Sequence, residues 1–267
     1  MDTQMESREI DRMRFRPCID LHQGKVKQLV GGTYDDTVGS RLQVNFESPK
    51  PASWYAKMYA QDQLYGGHVI AIGPGNEQAA KEALHAFPGG LQIGGGITPE
   101  NAAEYLDAGA AHVIVTSYVF KGGAIHWENL RRMADAAGKE KLVLDLSCRE
   151  KDGAYYIVTD RWQKCTGATI GRENLIALGE YCSEFLVHAV DVEGKKAGID
   201  EVLIKLLAEI TPLPATYAGG IASLSDLEKI NSIGNGRIDA TVGSALDIFG
   251  GTLSYRQVVA WHKSAQD

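Results

Sequence analysis

Two aspartates sit where a carboxylate is costly. Asp20 lies in "FRPCIDLHQGKV" and Asp145 in "KLVLDLSCRE", each inside an aliphatic run of strand type. Asp145 follows Asp20 by 125 residues. Carboxylates in unequal surroundings can divide proton transfer, one taking a proton while the other delivers it. Capping the loop behind each strand would also use an aspartate. The matched placement favours an acid/base pair, with each acid at the C-terminal end of its strand.

A second pair of features has the same spacing. "IGGGITPEN" and "AGGIASLSD" both pass from a strand into a helix, and Ile221 follows Ile97 by 124 residues. Glycine lets backbone N–H groups approach an anion, and a helix N-terminus adds favourable potential. Thr98 reads as the helix N-cap in the first copy, with Pro99 at the first helical position. A tight turn without a ligand would look the same in one copy. Each copy, however, is followed about twenty residues later by a strand ending in small polar residues. The expected phosphate sites are therefore Gly95, Gly96, Thr116 and Ser117 in the first half, and Gly219, Gly220, Gly243 and Ser244 in the second. Two such sites imply a small-molecule substrate with two phosphates.

Other candidates are single residues. The segments "HQGKVKQLVGG" and "REKDGAYYIVTDRW" follow the two acids and read as hairpins able to cover a site as lids. Trp162, in the second, can stack on a heteroaromatic ring or anchor its loop. His188, in "FLVHAVDVEGKKAGID", is placed to donate a hydrogen bond to substrate, with Asp145 as its nearest partner. A charged imidazole there would oppose Asp145 as an acid, so a neutral His188 is expected. His68, His85, His112 and His126 are assigned to structure or surface.

What must position these residues is a set of eight short apolar runs: "FRPCIDL", "HVIAI", "LQI", "HVIVT", "LVLDL", "FLVHAV", "ATY" and "DATV". Helix-sized segments separate them, which indicates parallel strands covered on both faces. Eight strand–helix units need about 250 residues, and the chain has 267. An open doubly wound sheet shares this periodicity. The internal repeat favours closure, because strands 1 and 5 then face each other across a pseudo-twofold axis. The expectation is a single-domain (β/α)8 TIM barrel over residues 1–267, built from two half-barrel repeats, with residues 1–13 a flexible tail.

The chain is 44% hydrophobic and carries a formal charge of −7. That balance argues against general affinity for nucleic acid or an anionic membrane. No apolar run reaches membrane-spanning length, and the charged N-terminal segment does not read as a signal peptide, so a cytoplasmic protein is expected. The four cysteines show no metal-ligand or disulfide spacing. No cofactor, metal or obligate protein partner is expected.

With these residues placed, the chain resembles the histidine-biosynthesis isomerases that convert phosphoribosyl-formimino-aminoimidazole-carboxamide ribotide to its phosphoribulosyl isomer. The resemblance rests on "PCIDLHQGKV", "LQIGGGI", "LVLDL", "DVEGKKAGID", "AGGI" and "VGSALDIFGG", in that order, and is nearest to the fungal and plant branch. It implies an Amadori rearrangement on a half-barrel-repeat TIM barrel, with Asp20 as base, Asp145 as acid and Trp162 matching a tryptophan of the strand 5 loop. Three positions depart from the pattern. His188 stands where threonine is frequent, Thr116-Ser117 replaces a glycine-threonine pair, and Gln28 replaces an arginine that helps hold a phosphate. Two other readings use the same features. The sister cyclase of imidazole glycerol phosphate synthase shares both acids and both glycine loops, but usually carries a lysine-glycine pair after its first acid, where this chain has "GKVKQLVGG". A non-catalytic sugar-phosphate-binding barrel would not need both acids.

Overall fold

In the strand Leu142–Lys151, Leu142, Leu144 and Leu146 are fully buried and alternate with Val143, Asp145 and Ser147. Successive strand side chains point to opposite faces, so one face of this strand is all leucine and the other carries the acid. The computed structural model describes residues 12–29, 44–160, 162–192 and 198–264, and it shows where each face goes. Val143 packs with Ile114, Leu186 and Ala218 in a small inner cluster, while the leucines join the larger core outside it.

The inner cluster is the inside of a closed barrel. Its strands are β1 (Phe15–His22), β2 (Gly67–Ala71), β3 (Leu91–Gly94), β4 (His112–Val115), β5 (Leu142–Lys151), β6 (Glu184–Ala189), β7 (Ala215–Ala218) and β8 (Ile238–Val242). Each is parallel to the next, β4 pairs with β5, and β8 returns to β1. Eight helices cover the outside: α1 (Ala52–Gln61), α2 (Glu77–Ala86), α3 (Ala102–Asp107), α4 (Trp127–Ala137), α5 (Arg172–Gly179), α6 (Glu201–Ile210), α7 (Leu224–Ile233) and α8 (Tyr255–Ser264). All eight expected strands are present, and the open-sheet alternative is excluded by closure.

α3 begins later than expected. The backbone N–H of Ala102 donates to the Thr98 carbonyl and that of Thr98 to the Asn101 side chain, so the chain makes one turn before the helix starts at Ala102. Proline at position 99 fits that turn as well as it fits a first helical position. Of the expected tail, residues 1–11 lie outside the described residues, whereas Met13 is already in the core at 1% exposure.

The floor of the barrel, at the N-terminal ends of the strands, is polar. Arg16 on β1 donates to Glu184 on β6 at 2.7 Å and to Asp239 on β8 at 2.7 Å. Gln92 and Thr216 also donate to Glu184. Burial works against the Arg16 charge, and the two carboxylates outweigh it, holding its pKa above the ordinary value. The charges at this end serve stability, because barrel chemistry sits at the opposite mouth.

Several imidazoles are packed away from water. Burial pushes His68 well below its ordinary value of 6.5, helped by the charges of Arg16 and His188, and burial also lowers His112 and His262. In the unfolded chain these rings take a proton as pH falls through about 6.5, whereas the buried rings resist it. The unfolded state then binds more protons, so stability drops as pH falls below that value. Urea unfolding at pH 7.5 and pH 5.5 should show a lower midpoint at the acidic pH, and His68→Gln should shrink the difference. Equal midpoints in the parent would contradict these burials.

Candidate active site

β1 and β5 each run past the barrel into an antiparallel hairpin. Leu21 pairs with Val26 across a turn at Gln23-Gly24, and Glu150 pairs with Tyr155 across a turn at Asp152-Gly153. All four turn residues have φ between +53° and +80°, the backbone of the tight two-residue hairpin turn. Both expected hairpins exist. Residues 30–43 and 161 lie outside the described residues, so the lid reading of the first loop is confined to its stem.

Neighbouring loops hold both hairpins in place. Asn76, 1% exposed, accepts from the Gly24 amide and donates to the carbonyls of Ile72 and Gly73, which staples the first hairpin to the β2 loop. On the other side, Gly122 and Gly123 in the β4 loop donate to Asp160 and Thr159. The Tyr155 hydroxyl donates to Asp200, the residue that caps α6. A third strand, Lys164–Thr169, which sequence patterning did not reveal, pairs with the outer arm of the second hairpin. Trp162 is half-buried in the turn between that outer arm and the third strand, with φ +69°. The second loop is thus pinned on two sides by side-chain hydrogen bonds.

Asp20 and Asp145 lie on opposite strands of the closed barrel. Around Asp145 the contacts are dense. His188 Nδ1 lies 2.8 Å from its Oδ1, the Thr116 hydroxyl donates to Oδ2 at 3.1 Å, and the Ser147 hydroxyl reaches Oδ1 at 3.5 Å. The structure therefore brings His188 to Asp145 as the sequence suggested. It also commits the Thr116 hydroxyl, expected at a phosphate, to the acid. Ser117 beside it is exposed.

Asp20 looks onto a cavity of about 120 Å³ whose wall includes Gln28, His68, Thr241, Gly219, Gly220, Gly243 and Ser244. This gathers Asp20, Gln28 and the whole second glycine set. Gln28 Nε2, His68 Nε2 and Thr241 Oγ1 are buried without a hydrogen-bond partner among the described residues. Buried polar atoms are ordinarily satisfied, and three orphans on one wall mark a place built for a polar guest. His68 and Thr241 were not singled out from sequence. The signal was strand parity: His68 is two residues before Ile70, which packs on the inner cluster, and so faces inward as well.

The glycines have a second reason for being glycine. A Cβ at Gly95 would lie 2.0 Å from the Ala71 carbonyl oxygen, and one at Gly220 would lie 1.9 Å from that of Gly198. Each loop is pressed against the backbone of its neighbour in both halves. Gly96 differs: its φ is +67° but no atom lies within 4 Å of a Cβ there. Gly220→Val should therefore abolish cooperative folding, whereas Gly96→Ala should fold with a loss of about 1–2 kcal/mol and raise KM for a phosphorylated substrate. Thermal melts and KM values check both, and a well-folded Gly220→Val would overturn the packing argument.

With the geometry in view, similarity to known proteins bears on it. A family model described as "Histidine biosynthesis protein" matches residues 14–253. The chain belongs to that family. A 1-(5-phosphoribosyl)-5-((5-phosphoribosylamino)methylideneamino)imidazole-4-carboxamide isomerase of Medicago truncatula, named as chloroplastic, is 55% identical over 255 residues, covering 94% of this chain and 82% of the relative. The isomerase of the same name from Neurospora crassa is 49% identical over 254 residues, and that from Saccharomyces cerevisiae 42% over 257, each alignment covering 94% of this chain and 98% of the relative. Membership of the family fits a barrel with paired acids and repeated glycine loops. Among the described residues no helix is long and apolar enough to cross a membrane.

Proposed function

We infer that the protein is an aldose–ketose isomerase of histidine biosynthesis, which rearranges the phosphoribosylamino group of its substrate to the phosphoribulosyl isomer. The observation that carries this reading is the pair of opposed carboxylates inside a barrel whose relatives of similar length bear that isomerase name. The reaction needs an acid to open the aminoaldose ring and a base to take the C2 proton. Asp20, at the cavity, is the base, and the Asp145 cluster supplies the acid. Gly219, Gly220, Gly243 and Ser244, with Gln28, hold one phosphate. Gly95, Gly96 and Ser117 hold the other, while the Thr116 hydroxyl stays with Asp145. Binding both ends fixes the reacting carbons between the two acids, using energy from groups that take no part in the chemistry. Trp162 and His188 are assigned to the substrate's central portion.

The substrate is a small molecule with two phosphates, and no protein partner is needed. A cytoplasmic site of action is part of this proposal; the Medicago relative's name places that enzyme in the chloroplast, and fractionation of the source cells decides between the two.

The cyclase alternative consumes ammonia, and this separates it from the isomerase. Purified protein given the aminoaldose should turn over at the same rate with and without ammonium. Turnover only when ammonium and a glutaminase are added would reverse the assignment.

A further inference from the structure

We propose that Thr241 is a further substrate-binding residue, whose hydroxyl hydrogen-bonds an oxygen of the sugar-phosphate end held by the second glycine loop. The proposal rests on the reading of that loop as a sugar-phosphate site and deepens it.

The two half-barrels differ at this position of their inner layer. Ile114 and Thr241 are counterparts: each stands two residues before the pair that follows its strand core, Thr116-Ser117 and Gly243-Ser244. Each also pairs with the residue just before a glycine loop, Ile114 with Gly94 and Thr241 with Ala218. Ile114, 2% exposed, belongs to the apolar cluster with Val143, Leu186 and Ala218. Thr241 instead lines the cavity that Asp20 faces, as do Gln28 and His68. β1 repeats the change, because Cys18 stands two residues before Asp20 where β5 has Val143 two residues before Asp145. The apolar filling of the first half thus gives way to polar groups in the second, on the side of Asp20.

Thr241 Oγ1 is buried without a hydrogen-bond partner among the described residues. A buried hydroxyl left unpaired costs free energy that a methyl group in its place does not. Valine has the shape of threonine and fills the position without that cost. A partner that arrives with the ligand accounts for the hydroxyl.

The position suits a sugar phosphate. Alternate residues of β8 face inward, so Thr241 and Gly243 share a face, about 7 Å apart along the strand. A Cβ on Gly243 would meet Cys18 Sγ at 2.5 Å, so β8 and β1 close together at the phosphate loop. One cavity joins that loop to Asp20, and Thr241 is part of its lining. The residue as a whole is partly exposed although its Oγ1 is not. A step between staggered wells about Cα–Cβ brings the oxygen round to the exposed side. There the hydroxyl can donate to a phosphate-ester oxygen, or donate to or accept from a ribose hydroxyl.

The test uses the full chain with Thr241→Val and Thr241→Ser, titrated with ribose 5-phosphate and with inorganic phosphate. Thr241→Val should weaken ribose 5-phosphate binding by about five- to tenfold. Its melting temperature should equal or exceed the parent's, because an unpaired hydroxyl has been removed. Thr241→Ser keeps the hydroxyl and should bind within about twofold of the parent. A parallel loss for inorganic phosphate in Thr241→Val assigns the contact to a phosphate oxygen, and a loss for ribose 5-phosphate alone assigns it to the sugar; either supports the proposal. Unchanged ribose 5-phosphate affinity in folded Thr241→Val, or an equal loss in Thr241→Ser, overturns it. So does a fall of more than about 5 °C in the melting temperature of Thr241→Val, which would reveal a partner within the protein. A parent chain without affinity for ribose 5-phosphate removes the sugar-phosphate site and the proposal with it. A parent chain that binds ribose 5-phosphate but leaves the aminoaldose unchanged overturns the isomerase reading instead.

Discussion

Asp20→Asn is expected to lower kcat by at least about a hundredfold while changing KM by less than threefold. The carboxylate is the group placed to take the C2 proton, and an amide of the same shape cannot. The protein should stay folded, because β1 is held by pairing with β2 and β8 on either side and by the Tyr59 hydroxyl, which donates to the Cys18 carbonyl beneath the acid. Asp145→Asn should show a loss of similar size for a different reason. Its amide presents a donor to one of the groups that now meet it, which disturbs either Thr116 on one oxygen or His188 and Ser147 on the other. A double variant that is no worse than either single one would fit two groups acting in one sequence of proton transfers. Near-normal turnover in Asp20→Asn with an unchanged melting temperature would remove this residue from the chemistry.

The second large effect is on stability and lies at the other end of the barrel. Arg16→Met should cost about 3–5 kcal/mol, because it leaves Glu184 and Asp239 buried without their shared cation. Both carboxylates are about as buried as the arginine they serve, at 6% exposure against 2%. Gln92 and Thr216 give Glu184 only neutral donors, whereas Asp239 keeps the half-exposed Arg14 guanidinium at 3.1 Å, so Glu184 is the carboxylate left without a cation. At about 2–4 °C per kcal/mol for a domain of this size, the melting temperature should fall by roughly 10 °C. Removing all three charges together with apolar residues of similar volume should cost less than removing the arginine alone, since burying an ion pair gains little over packing. A melting temperature within 2 °C of the parent in Arg16→Met would show that the network contributes nothing.

The sequence revealed the barrel because each of its eight strands is a local signal, a short run of aliphatic residues bounded by turns. Asp20 and Asp145 were visible for the same reason: they break such runs at the same place in two repeats. What stayed hidden depends on neighbours distant along the chain. Arg16, Glu184 and Asp239 look like ordinary polar residues at strand starts until closure stacks β1, β6 and β8 around one axis. His68 reads from sequence as a structural or surface residue, and its place in the cavity follows only from knowing which face of β2 points inward. The double duty of Gly95 and Gly220 was hidden too, because a close approach to Ala71 or Gly198 leaves no mark on local sequence. The start of α3 at Ala102 is hidden in the same way, because Pro99 suits the turn that precedes the helix as well as a first helical position.

Carbon NMR of the reaction itself tests the central claim most directly. Substrate carrying carbon-13 at C2 of the ribosylamino group, mixed with the purified chain alone, should convert its alcohol-type signal into a ketone signal at the same carbon, with both phosphates retained. A C2 signal that stays an alcohol in the presence of folded protein, or that moves only when ammonia and a second protein are supplied, would contradict the account.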